Sequence, residues 1–147
     1  MGDLSSQRER LTTLGAEIIN RWLEDDEVPG ILARYDAIAL SHIEASQSGV
    51  AAAAFGNCMP VVAMPVGGIA EQVVDGRTGV LAHRTSARSF ADAIYRLATD
   101  PELYARISAH LSATAEDRSM ARFVDELVSE IERIGQPGAG LRRDFVS

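Results

Sequence analysis

The sequence is poor in the groups that mark several common kinds of protein. It has a single cysteine, Cys58, so no internal disulfide can form. That suits a reducing cytoplasm, with Cys58 acting as a small buried apolar side chain. No apolar run comes near the roughly 20 residues of a membrane span. The opening MGDLSSQRER lacks the apolar segment of a secretory signal, so a cytoplasmic location is expected. Basic residues are outnumbered: 14 Lys and Arg against 21 Asp and Glu leave a net charge of −7. A surface that grips a phosphate backbone needs clustered cations, so nucleic acid is not an expected partner. The short catalytic signatures are missing as well: no P-loop, G-x-G-x-x-G, G-x-S-x-G, H-E-x-x-H or C-x-x-C occurs. No Asp-x-Asp pair is present to hold a cation, and His42, His83 and His110 have no metal-ligand spacing. Neither a metal nor another cofactor is expected.

What is present reads as one domain. A length of 147 residues suits a single core. Helical and strand patterns alternate without an internal repeat, which predicts an α/β fold with a parallel sheet. Residues 4–13 are polar and compatible with a helix. Strands are expected at 16–20, 37–40, 60–64 and 80–82, making about four. Asp25 or Asp26 can cap a helix running to about Tyr35, with Pro29 in its first turn, where proline is tolerated. Ser46 and Ser48 are both possible caps for an alanine-rich helix ending near Gly56. Gly67-Gly68 breaks the chain before a short helix over 69–74, and Asp75-Gly76 and Thr78-Gly79 are turn signals. Three helices close the fold. Phe90, Ala93, Ile94, Leu97 and Ala98 mark the first by their spacing. Asp100-Pro101 starts the second as cap and first residue. Phe123, Leu127, Val128, Ile131 and Ile134 mark the third. The glycine-containing tail 135–147 is expected to be loose.

Two stretches place polar loops after strands, where parallel α/β sheets bind ligands. The first runs Leu40-Ser-His-Ile-Glu44-Ala-Ser-Gln47-Ser48-Gly49 and then enters the alanine-rich helix. The free N–H groups and dipole of that helix start can hold an anion, and Gly49 lets a ligand approach the backbone. Simple capping by Ser46 or Ser48 explains the serines equally well. The second stretch, Pro60-Val-Val-Ala-Met-Pro-Val-Gly67-Gly68-Ile-Ala-Glu71, sets a glycine loop on the same edge of the sheet. Together the two loops would suit a diphosphate. Gly67-Gly68 also reads as an ordinary strand-to-helix turn, and Glu71 as a solvated helix residue.

The order strand, E-x-x-Q-S-G, alanine-rich helix, P-V-V-A, V-G-G-x-x-E, D-G-x-T-G-x-L resembles the donor half of glycosyltransferase family 4, over about residues 15–134. The resemblance implies a Rossmann-like nucleotide-sugar-binding domain over residues 1–134, an incomplete C-terminal half of a GT-B fold. It implies retaining transfer of a sugar from a nucleotide diphosphate sugar to an acceptor that the sequence does not name. Glu44 matches the family's first motif glutamate, which contacts donor-sugar hydroxyls, and is the catalytic candidate. Gln47, Ser48 and Gly49 form the following turn, with Ser48 and Gly49 offering amides near the sugar or diphosphate. Gly67 and Gly68 match the glycine loop beside the donor, and Glu71 completes that motif. Asn20, Arg21, Trp22 and Leu23 match the loop lining the nucleotide base, where Trp22 either stacks on the base or packs into the core.

Two departures from the family pattern bear on activity. Ala53 stands where the family usually carries a second glutamate that contacts the ribose. The family's Arg and Lys for the diphosphate precede the matched region. A GT-B enzyme also needs two domains of about 150 residues, so a missing N-terminal domain or a homo-oligomer is an expected partner. An inactive binding module derived from the same fold is the alternative. The Q-S-G loop and V-G-G-x-x-E turn point away from a nonhydrolysing nucleotide-sugar epimerase. By itself the chain is expected to transfer no sugar and to self-associate: strand 37–40 either pairs with 16–20 in a four-stranded sheet or leaves an apolar, unpaired edge that templates another chain.

Overall fold

The computed structural model of the protein describes residues 5–135. The chain divides into two compact units, Met1–Arg34 and Tyr35–Ser147.

The first unit carries α1 (Ser5–Thr13) and α2 (Glu27–Leu32). The sequence SSQRERLTT gives α1 no apolar stripe, and none of its residues is buried. Residues 16–20, expected as a strand, have no regular structure. A strand needs a neighbour for its backbone donors and acceptors, and this unit has no other strand among the described residues. Consecutive Ile18 and Ile19 also break the alternation of a half-buried strand, and Glu17 instead pairs with Arg34 at 2.6 Å. At α2 neither expected aspartate acts as a cap: Asp26 occupies the position, but its side chain makes no capping bond.

The second unit is built on a parallel sheet of β1 (Ile38–Leu40), β2 (Val61–Ala63) and β3 (Gly79–Leu81) in the order β1-β2-β3. Three strands therefore stand where about four were expected. Ile38, Val61 and Gly79 are in register. Every residue of β2 is buried, as an apolar central strand in a parallel sheet requires. Pro60 precedes the strand and still joins the ladder through its carbonyl, which accepts from the Ile38 N–H at 3.0 Å.

Helix α3 (Gly49–Gly56) packs on β1 and β2, and α5 (Ala87–Thr99) on β2 and β3, while α6 (Pro101–Ala113) packs on α5. Ala93 and Leu97 of α5 and Leu103, Ile107 and Leu111 of α6 are buried at spacings of four, one apolar stripe per helix. Burying each Leu or Ile contributes about 1.5–3 kcal/mol. Asp100 Oδ1 accepts from the Leu103 N–H at 2.8 Å and Pro101 opens α6, the expected arrangement. Cys58 is half-buried rather than buried and adopts φ 53°, a left-handed turn just beyond α3. After a 3₁₀ turn, Glu116–Arg118, comes α7 (Met120–Gly135). Its stripe of Phe123, Val124, Leu127, Val128, Ile131 and Ile134 is 46–65% exposed, so nothing among the described residues covers it. Of the tail, residues 136–147 lie outside the described residues.

The D-G-x-T-G segment closes the path from α4 (Ile69–Gln72) to β3. Gly76 takes φ 72°, Thr78 Oγ1 accepts from the Val74 N–H at 2.8 Å, and Asp75 Oδ1 accepts from the Leu81 N–H at 2.9 Å. Asp75 also pairs with Arg96 of α5 at 3.1 Å. A Cβ at Gly79 would overlap the Val61 carbonyl oxygen, so only glycine lets β3 lie this close to β2.

Candidate functional site

Because β1 and β2 are parallel neighbours, the loops at 41–48 and 64–68 leave the sheet at one edge, its carboxyl end. Backbone packing sets them directly against each other. Gly67 takes φ 44°, and a Cβ there would overlap the Ala45 carbonyl oxygen; a Cβ at Gly68 would overlap that of Ser46. The glycine pair is thus required by the close approach of two main chains. Gln47 joins this contact, its Cγ lying 3.5 Å from where a Gly68 Cβ would stand.

Of the two serines, Ser48 is the cap. It holds extended backbone angles, and its Oγ accepts from the Ala51 N–H at 3.2 Å. Its side chain is only 5% exposed. Its own N–H donates to Gln72 Oε1 at 3.0 Å, tying the start of α3 to the end of α4. The Ser48 amide is therefore engaged within the protein. The N–H groups of Gly49 and Val50, both exposed, have no acceptor among the described residues. A Cβ at Gly49 would meet nothing within 4 Å, so packing does not demand glycine there. Glu44 sits in an exposed bend of the first loop and Glu71 on the exposed side of α4.

Asn20, Arg21 and Trp22 belong to the first unit. Trp22 is 80% exposed, which rules out core packing for its ring. Arg21 forms a two-pronged pair with Glu27, at 2.8 and 2.6 Å, and also donates to the Trp22 carbonyl at 2.9 Å. The Arg21 guanidinium and the Glu24 N–H pull the Glu27 carboxyl down to about 2, and the same hydrogen bond raises the Arg21 pKa. Arg21 is thus already matched to a carboxylate.

Within the second unit, Gln47, Ser48, Gly67 and Gly68 thus take part in the contact between the two loops, with Glu44 in the first loop, Gly49 at the start of α3 and Glu71 on α4. Reading the sequence missed Gln72. A polar side chain one turn beyond Gly68, beside Glu71 and ahead of Val73-Val74, was the available signal. No group of three His, Cys, Asp or Glu among the described residues can hold a metal ion, and no helix among them is long and apolar enough to cross a membrane. A separate groove of about 540 Å³ runs beside β1, lined by residues including Ala37, Ile38, Ile94, Leu97 and Tyr104. It includes none of the loop residues above.

Comparison with known proteins adds family and fold. Residues 2–100 match the family Glycosyl transferases group 1. The chain is 38% identical over 90 residues to the D-inositol 3-phosphate glycosyltransferase of Corynebacterium aurimucosum, covering 59% of this chain and 21% of that protein. It is 36% identical over 91 residues to the enzyme of the same name from Kribbella flavida, covering 60% and 22%. The chain thus spans about a fifth of the length of the curated relatives it matches. Among solved structures, Anabaena HepE in complex with UDP superposes with a TM-score of 0.67 at 24% identity, over 89% of this chain and 36% of HepE. The C-terminal domain of LpcC, a glycosyl transferase group 1 family protein from Francisella tularensis, gives 0.62 at 19% identity, over 78% and 62%. A match over two thirds of its residues and a shared α/β fold have one reading: the chain belongs to the glycosyl transferases of group 1.

Proposed function

We propose that this chain is the donor-binding part of a retaining family 4 glycosyltransferase, transferring a sugar from a nucleotide diphosphate sugar to an acceptor. The observation that carries this reading is the seating of the E-x-x-Q-S-G loop against the V-G-G-x-x-E loop at the carboxyl edge of the sheet. Beside it, two α3 amides are left without acceptors. A diphosphate meets the positive end of the helix there. Glu44, exposed and without a hydrogen-bond partner among the described residues, is the group that reaches the donor-sugar hydroxyls. Gln47 and Glu71 are further proposed donor contacts, on the resemblance. Asn20, Arg21 and Trp22 are proposed as nucleotide-base contacts on the resemblance alone. HepE was crystallised with UDP and with UDP-glucose, so uridine nucleotides are the first donors to test.

The second reading, a binding module without activity, is favoured by two residue facts. Ala53 cannot accept a ribose hydrogen bond, and the chain contains no lysine at all: its 14 basic residues are arginines. Helix-start amides contribute only about 0.3–1 kcal/mol per charge, far short of the roughly 8 kcal/mol of a micromolar complex. Weak donor binding and no turnover by this chain alone are expected. Transfer would need a second domain or subunit to close the cleft around donor and acceptor.

Calorimetric titration with UDP, GDP and ADP and their sugars tests the reading. Glu44→Ala should weaken the matching nucleotide sugar by about tenfold, one charge-assisted hydrogen-bond contact, and leave the free nucleotide unchanged. Equal loss for both ligands, or submicromolar binding of any donor, would count against this assignment.

A further inference from the structure

We infer that Gln72 is a positioning residue for the donor loop, acting through the Ser48 amide. The inference rests on the donor-binding reading above and assigns a role to a residue outside the motifs that led to it. Parallel pairing of β1 and β2 makes the two loops neighbours but does not fix their relative height. The contacts of Gly67 with Ala45 and of Gly68 with Ser46 fix the middle of the first loop. Nothing in those contacts restrains Ser48, where the loop turns into α3. Its Oγ and carbonyl tie it to α3 itself; the restraint that ties it to the second loop comes from Gln72 Oε1, which accepts the Ser48 N–H across 24 residues of sequence at 3.0 Å.

The restraint has a direct chemical consequence. Ser48 keeps φ −126° and ψ 111°, the angles that aim its Oγ at the Ala51 N–H. The peptide that follows carries the Gly49 N–H, one of the two amides left for an anion. Without the Gln72 acceptor, the Ser48 N–H becomes an unsatisfied donor in a part-buried place. The loop then relieves that cost by turning the Gln47–Ser48 peptide; the next one stays tied to α3 through the Ser48 carbonyl, which accepts from the Ala52 N–H at 3.2 Å, so the start of α3 shifts as a unit and carries the Gly49 amide with it. Gln72 also removes the Ser48 amide from competition for the ligand, so the anion sits over Gly49 and Val50.

Two substitutions separate this role from general stability. Gln72→Met keeps length and volume but removes the acceptor. Gln72→Glu keeps an acceptor and adds a negative charge beside the anion. Amide-resolved hydrogen exchange by NMR reads the anchor, and titration with UDP, GDP and ADP on the same samples reads the site. In Gln72→Met, Ser48 exchange should accelerate and binding of the preferred nucleotide weaken by roughly 3- to 10-fold, the range for one net hydrogen bond. In Gln72→Glu, Ser48 protection should remain. Its binding should be weak at low salt and approach the wild-type value measured in 1 M salt, where the screening length falls to about 3 Å. The Gln72→Met defect should persist at that salt. Unchanged Ser48 exchange in Gln72→Met overturns the anchor. Faster exchange with wild-type affinity overturns the positioning role. A wild-type chain whose resonances are moved by none of the nucleotides overturns the donor reading itself, a failure distinct from either variant's.

Discussion

The glycine pair offers the sharpest test of how the two loops are joined, because its two members differ in one physical respect. Gly68 has φ −67° and ψ −12°, angles open to any residue, but a Cβ there would overlap the Ser46 carbonyl oxygen. Gly67 has the same kind of overlap, with Ala45, and in addition φ 44°. Gly68→Ala therefore costs only the displacement of one main chain from another, about 1–3 kcal/mol for overpacking. Gly67→Ala adds about 1–2 kcal/mol for forcing an L-residue into the left-handed region. Gly49→Ala is the control: its Cβ would meet nothing within 4 Å at the first residue of α3. Helix propensity and a less flexible unfolded chain should stabilise that variant by about 0.4–1 kcal/mol. With an m-value of about 1.5 kcal/mol per molar urea, the Gly67 variant should lose roughly 1–3 M in midpoint, the Gly68 variant less, and the Gly49 variant nothing. Urea unfolding followed by circular dichroism measures all three. A Gly68→Ala protein as stable as the native one, or a Gly67→Ala protein no worse than Gly68→Ala, would refute the argument that backbone contact fixes these loops.

Two further expectations concern charge and the sheet edge. The Glu27 carboxyl is depressed from 4.5 to about 2 by Arg21 and the Glu24 amide, so its contribution is complete above pH 4.5 and disappears as pH falls towards 2. Chemical shifts of the Arg21 side-chain protons should stay constant down to about pH 4 and move below it; Arg21→Gln should bring the Glu27 midpoint back to the ordinary carboxylate range, and an unshifted midpoint in the native chain would exclude the pair. At β1, the Ile38 N–H and the Leu40 carbonyl face β2, which turns the Ala39 backbone groups outward, where no strand pairs with them among the described residues. Such an edge templates another chain. The purified chain should therefore sediment as a dimer or larger at micromolar concentration. Ala39→Pro, which removes an outward N–H without breaking the ladder, should sediment as a monomer; a monomeric native chain would remove the basis for this expectation.

The parts of the fold that were legible in the sequence are those where local chemistry and long-range packing demand the same residue. Asp100-Pro101 is readable because a cap and a fixed φ suit a helix start in any context, and α6 does begin there. Buried β2 is readable because a parallel sheet needs an unbroken apolar run at its centre. Residues 16–20 failed for the opposite reason. Two isoleucines satisfy a strand's composition, but a strand exists only with a partner, and partnership is not a local property. Similarly, sequence left Ser46 and Ser48 equivalent as caps. The choice of Ser48 depends on backbone angles set in part by the hydrogen bond its N–H donates to Gln72 Oε1, 24 residues away.

The same separation between packing and other demands can be carried into the motifs. In D-G-x-T-G, every named residue has a structural use: a carboxylate on the Leu81 amide, a left-handed glycine, a hydroxyl on the Val74 amide, and a glycine under the Val61 carbonyl. Gly67 and Gly68 are accounted for by the Ala45 and Ser46 backbone. The fold alone accounts for these residues, and the glycine pair's part in the site is to hold the 41–48 loop against the sheet edge. Glu44, Gly49 and Glu71 are different. Two are exposed carboxylates, and the third is a glycine with open space where a Cβ would stand. Packing demands none of them: an exposed glycine at a helix start costs chain entropy relative to alanine, and two carboxylates near one edge add repulsion to a chain that already carries −7, only partly offset for Glu71 by its place in the first turn of α4. Residues that cost stability and satisfy no contact within the protein are where a bound molecule has to be sought. All three stand on the 41–49 loop and the α4 turn that packs against it, which is why donor binding is proposed at this edge rather than in the apolar groove beside β1.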